Sequence, residues 1–232
     1  MARLRIHVEG QTEETFVTQL LAPHLYECGY HDVSARLLGD ARQRHNRGGI
    51  KSWPSAQKEI VRHLKADKGL ISTTMVDYYA LPSTGPGEWP GRADANFVAL
   101  ENKPRIVERA LSQAFARHVD DQQVAGRFVP FVVMHEFEAL LFSDCTSFAR
   151  AIGRPDLRGQ FTSILAQFDG PEHINDSPLT APSKRVEALF PKYQKLINGI
   201  NAAREVGLLA MRQCCPHFDA WLHQLERIPR LA

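Results

Sequence analysis

Leu4-Arg5-Ile6-His7-Val8-Glu9-Gly10-Gln11-Thr12-Glu13-Glu14 holds three structural events in one short stretch. Leu4 to Val8 alternate and favour the β conformation, Glu9-Gly10 breaks the alternation, and Thr12, Glu13 and Glu14 fill a first helical turn with a capping hydroxyl and acids that suit the positive end of a helix. The reading is strand, tight turn, helix. The helix continues with Phe16, Leu20, Leu21 and Leu25 at helical spacing. Pro23 lies inside that pattern and predicts a kink or break, and Gly29 ends it.

Outward from this unit the alternation repeats. A second strand is predicted at Asp32 to Leu38, and Ser52-Trp53-Pro54 opens a helix with Ile60, Val61 and Leu64 on its inner face. Leu70 to Val76 reads as a buried strand that delivers Asp77. The segment from Ala80 to Arg92, rich in proline and glycine, is expected to be a lid or substrate-contacting loop, mobile and bordering the site. A helical pattern from Ala93 to His118, with an expected interruption at Pro104, leads to a fourth, central strand from Arg127 to Met134. Strands alternating with helices predict an α/β fold, a mostly parallel sheet covered on both faces. Beyond Asp144, prolines punctuate short helical pieces. We expect an α/β core over 1–145 and a helical C-terminal extension over 146–232, packed on the core.

The 232 residues suffice to bury a core without disulfide staples. Cys214 and Cys215 are adjacent and form no ordinary bridge, and none of the four cysteines has zinc-ribbon spacing. No apolar signal core opens the chain and no uninterrupted apolar run approaches membrane-spanning length, so we expect a cytoplasmic protein with no membrane partner. A net charge of +2 is too mild to announce a nucleic-acid binder. Local clustering says more: Arg36, Arg42, Arg44, His45, Arg47 and Lys51 form a basic loop around Gly48-Gly49, readable either as a solvated surface or as a phosphate contact.

Ligands of open parallel sheets bind beyond the carboxyl ends of the strands, where this chain places Glu9, Asp77 and the pair Glu136/Glu138. Clustered carboxylates repel one another unless a cation neutralises them, and an all-oxygen donor set suits Mg²⁺ or Mn²⁺ better than zinc. The opposing reading makes Glu9 a partner of its helix dipole and leaves Glu138 solvated.

Val8-Glu9-Gly10-Gln11-Thr12-Glu13 and Met75-Val76-Asp77-Tyr78-Tyr79 resemble the glutamate and aspartate motifs of the Toprim domain. The chain as a whole resembles the Toprim-like domain-of-unknown-function family 4276. The matching pattern comprises these two motifs, His135-Glu136-Phe137-Glu138-Ala139-Leu140-Leu141-Phe142, Pro182-Ser183-Lys184-Arg185, and Cys215-Pro216-His217-Phe218 with Trp221. The resemblance implies a Toprim-like, Rossmann-like fold and service beside an AAA- or ABC-type ATPase in bacterial phage defence. Tyr79 stands where Toprim enzymes carry a second acid, and Glu136 or Glu138 is the expected replacement as catalytic and metal-binding group.

Ser183 is placed to cap a helix, and Lys184 and Arg185 beside it are phosphate-gripping candidates, with Arg44 and Arg47 of the basic loop as further substrate-binding candidates. Their alternative is a solvated face. His135 reads more readily as satisfying a backbone group than as a proton shuttle. Cys214, Cys215 and His217 read as core packing rather than zinc ligands. Trp89, in the long loop, is the tryptophan that could stack on a base. Two functional classes follow: a metal-dependent nuclease, a hydrolase acting on DNA or RNA, and a non-catalytic recognition subunit that binds an ATPase or nucleic acid. A small-molecule phosphotransfer enzyme has less support, since the chain has no Walker-type loop.

Overall fold

The computed structural model describes residues 1–38, 50–134, 136–174 and 180–231. They form two compact units, one comprising 1–132 with 226–232 and the other 133–225.

The first unit is built on a mostly parallel five-stranded sheet flanked by helices. Strand β1 (Arg3–Val8) lies between β2 (Asp32–Leu37) and β3 (Leu70–Asp77), parallel to both, and β3 pairs in parallel with β4 (Phe128–Val129). A further short strand, β5 (Val132–Val133), also pairs with β3. The expected single strand from Arg127 to Met134 is therefore two pieces. Pro130 lies between them and has no N–H to donate to a ladder. Leu4, Ile6 and Val8 are fully buried on one face of β1, each contributing roughly 1.5–3 kcal/mol.

After β1, Gly10 caps α1 (Gln11–Phe16), and its N–H donates to the Glu13 carboxylate at 3.0 Å. The break anticipated at Pro23 takes the form of a π-helical stretch, Val17–Leu21, followed by α2 (Ala22–Glu27), which carries the proline in its first turn. Helix α3 (Trp53–Ala66) starts at Ser52 as the sequence suggests. The C-terminal end of α3 is closed by Arg127, whose guanidinium donates to the carbonyls of Leu64, Asp67 and Leu70 at 2.7–2.9 Å. Between Ala93 and His118 the chain makes two 3-10 turns before α4 (Lys103–His118); Pro104 sits in the first turn of α4, where its missing N–H costs nothing. A short α5 (Gln122–Ala125) precedes β4.

The second unit is helical. A buried 3-10 segment, Phe137–Asp144, leads to α6 (Cys145–Ala151), α7 (Arg158–Leu165), α8 (Pro182–Leu189), α9 (Ile200–Cys214) and most of α10 (Pro216–Leu231). Phe142, Phe148 and Phe161 pack as a ring cluster with centroids 4.6–5.6 Å apart. Among the described residues no helix is long and apolar enough to cross a membrane.

Candidate functional site

Glu9 and Asp77 end neighbouring parallel strands at the same, carboxyl, edge of the sheet. Val8 and Met75 are register partners, so Glu9 and Asp77 are one residue out of phase; strand spacing and rise put their Cα atoms roughly 6 Å apart. Asp77 continues the Thr73 and Met75 face of β3. Glu9 stands past the last residue of β1, in the bend that leads to α1, so the pleat does not assign its direction. Both side chains are half-buried. They belong to no group of three His, Cys, Asp or Glu ligands among the described residues.

The motif after Asp77 is structural. Tyr78 is buried, and the Arg92 guanidinium lies 3.9 Å over its ring while donating to the Tyr78 carbonyl and hydroxyl at 3.0 Å each and to Asn96 at 2.8 Å. Burial raises the Tyr78 hydroxyl above the usual phenol range although Arg92 opposes this. Arg92, only 7 % exposed, gave no sequence signal beyond standing at the end of a loop.

In that loop Thr84, Gly85, Pro86 and Glu88 are exposed, whereas its C-terminal end is packed down. Trp89 is fully buried, donates from its indole to the Lys51 carbonyl at 3.0 Å and meets Trp53 edge-on at 5.3 Å, so it presents no face to a base. Gly91, at φ 75°, comes so close to α4 that a Cβ there would lie 2.7 Å from that of Ala110.

The basic segment is anchored at both ends by one buried acid. Arg36 and Lys51 bind the two oxygens of Glu59 at 3.0 and 3.2 Å. Burial alone would raise the Glu59 carboxyl; the two cations outweigh it and hold the group below the usual range. These two basic residues are thus structural. Arg42, Arg44, His45 and Arg47 lie outside the described residues, as does His135.

Glu136 and Glu138, the expected third metal ligands, have other partners within the second unit. Glu136 accepts the Ser183 N–H at 3.0 Å, stabilising the N-terminus of α8 with a negative charge, and Glu138, almost fully buried, pairs with Lys195 at 3.2 Å. Both sit at the entry to the 3-10 segment, a few residues after β5 ends. Tyr193 is buried beside them, and burial together with the charges of Glu138 and Glu136 keeps its hydroxyl protonated. Lys184 pairs with Glu187 at 2.7 Å on the exposed side of α8. Arg185 donates to the Thr180 carbonyl at 2.8 Å, lies 5.1 Å from the Phe168 ring and lines a shallow groove of about 560 Å³ with Gln160, Ser163 and Gln167.

The last motif is also a packing device. Glu172 accepts the N–H groups of His217 and Phe218 at 3.0 and 2.9 Å, satisfying the start of α10, while Cys215 is buried against the Ser143 hydroxyl at 3.4 Å.

Fold and site together define a parallel α/β protein with two acids at the carboxyl edge of its central strands. The chain belongs to the family described as a domain of unknown function (DUF4276), whose profile matches residues 8–226. No curated protein and no solved structure matched the chain.

Proposed function

We propose that this protein is a metal-dependent phosphodiesterase acting on nucleic acid through a Toprim-like site in which Glu9 and Asp77 hold Mg²⁺ or Mn²⁺. The observation that carries the reading is the pair of carboxylates ending adjacent parallel strands, at the edge where open sheets bind ligands. The donor set fits: Mg²⁺ commonly takes one or two carboxylates and keeps several waters. When bound, the ion would supply positive charge to a phosphate oxygen and acidify a water. The chain's own part is to aim Asp77 from a rigid central strand, which the Arg92 clamp on Tyr78 braces, and to offer Glu9 as ligand or as general acid or base. Lys184 is available to a phosphate, because an exposed pair such as Lys184–Glu187 contributes at most about 1 kcal/mol and gives way readily.

A second reading, a recognition subunit that binds an AAA- or ABC-type ATPase or nucleic acid in a phage-defence assembly, is favoured by Tyr79 standing where a second acid belongs.

The test is an assay of single- and double-stranded DNA and RNA with Mg²⁺ or Mn²⁺, with the chain alone and with an ATPase encoded beside it. Asp77→Asn should abolish cleavage with the fold intact. Lys184→Ala should weaken binding and flatten its salt dependence while turnover persists. If Asp77→Asn matches the unmutated protein in the complete assembly, the catalytic reading fails and the recognition reading replaces it.

A further inference from the structure

Away from the strand-end acids, three side chains of the first unit bring nitrogen, sulfur and oxygen donors together. His24 and Cys28 are four residues apart at α2, a spacing that puts both on one helical face. Cys28 is the last αR residue of that helix, because Gly29 at φ 105° turns the chain away. Glu226 approaches from the end of α10. Its neighbourhood there is fixed by a second contact, Pro229 lying 3.4 Å from where a Gly29 Cβ would be.

The ligating atoms of His24, Cys28 and Glu226 all lie within 4.8 Å of one another. His24 Nε2 is 2.6 Å from Glu226 Oε1 and 3.9 Å from Cys28 Sγ. Around a tetrahedral zinc ion with usual bond lengths, N to O comes to about 3.3 Å and N to S to about 3.6 Å. One separation must open by roughly 0.7 Å and the other close by roughly 0.3 Å, movements within the reach of side-chain rotation.

We infer that His24, Cys28 and Glu226 form a binding site for a borderline divalent cation, Zn²⁺ foremost, with a fourth position left for water. The thiolate selects against Mg²⁺ and Ca²⁺, and imidazole with one carboxylate completes a three-ligand set of the kind zinc accepts. A thiolate and a carboxylate carry two negative charges, which the ion balances. The His24 and Glu226 side chains are 28 % and 14 % exposed, enough for entry yet sheltered from bulk water. Binding would replace the His24–Glu226 hydrogen bond with a metal link between α2 and the end of α10, so the ion would act as a clasp that favours the folded state.

The experiment uses the full chain, freed of metal under reducing conditions and titrated with Zn²⁺, and with Co²⁺ as a spectroscopic probe. One equivalent should bind, the Co²⁺ form should show a thiolate charge-transfer band with tetrahedral visible bands, and Zn²⁺ should raise the unfolding midpoint. Cys28→Ser should remove the band and weaken Zn²⁺ binding at least tenfold, and Glu226→Gln should weaken it while retaining the band. Cys214→Ser, altering the exposed cysteine, should leave both signals unchanged. The inference is overturned if no stoichiometric Zn²⁺ binds, or if the band survives Cys28→Ser or disappears in Cys214→Ser.

Discussion

His7 sits one residue from the end of β1, fully buried, its ring stacked 5.8 Å from that of His63 on α3. Neither ring nitrogen of His7 has a hydrogen-bond partner among the described residues, nor do the Ser34 and Ser72 hydroxyls of the flanking strands. Burial, reinforced by the positive charge His63 would carry, pushes the His7 imidazole down to about 3, with Glu59 opposing and Arg5 and Arg36 adding to the effect. In the unfolded chain the same group titrates near 6.5. Between these values the unfolded state binds one proton more, so the contribution of His7 to stability is fully present above about pH 6.5 and is lost as the pH drops toward 3. The loss amounts to as much as a few kcal/mol. Urea unfolding at pH 7.5 and 4.5 should therefore show a large stability gap that narrows in His7→Phe; an equal gap in both proteins would refute the assignment.

At the scale of elements, two helices of the second unit begin on a carboxylate supplied from far along the chain: α8 on Glu136 and α10 on Glu172. The first N–H groups of a helix have no partners within it, and a carboxylate answers them with both hydrogen bonds and charge. Glu172 achieves this at a cost, since burial raises its carboxyl above the usual range even though the two N–H groups pull it back. Glu172→Gln keeps one acceptor and turns an NH₂ toward the other donor. We expect a loss of about 1–3 kcal/mol, read as a lowered unfolding midpoint, with any nucleic-acid cleavage unchanged in rate per folded molecule. Local rules explain much else at this level. Pro54, Pro104 and Pro182 all stand in first turns, where the ring's fixed φ is already helical.

For the whole molecule, residues 226–232 belong with 1–132 although they follow the entire second unit in the chain. Truncation after Leu225 removes the Glu226 contact to His24 and the Pro229 contact beside Gly29. It should lower the unfolding midpoint of the first unit, reported by near-ultraviolet dichroism of the buried, edge-packed Trp53 and Trp89. An unchanged transition would mean that the end of α10 contributes nothing to that unit's stability. By itself the sequence determined the strand–turn–helix at Glu9, the parallel α/β order, the start of α3 and the delivery of Asp77. These follow from residue periodicity and from the fixed preferences of proline and glycine, which act over a few residues. Only the tertiary structure decided that Glu136 and Glu138 serve α8 and Lys195, that Trp89 is buried, and that His24 and Cys28 meet Glu226. Those outcomes join residues tens to hundreds of positions apart, where packing chooses the partner and no spacing along the chain encodes it.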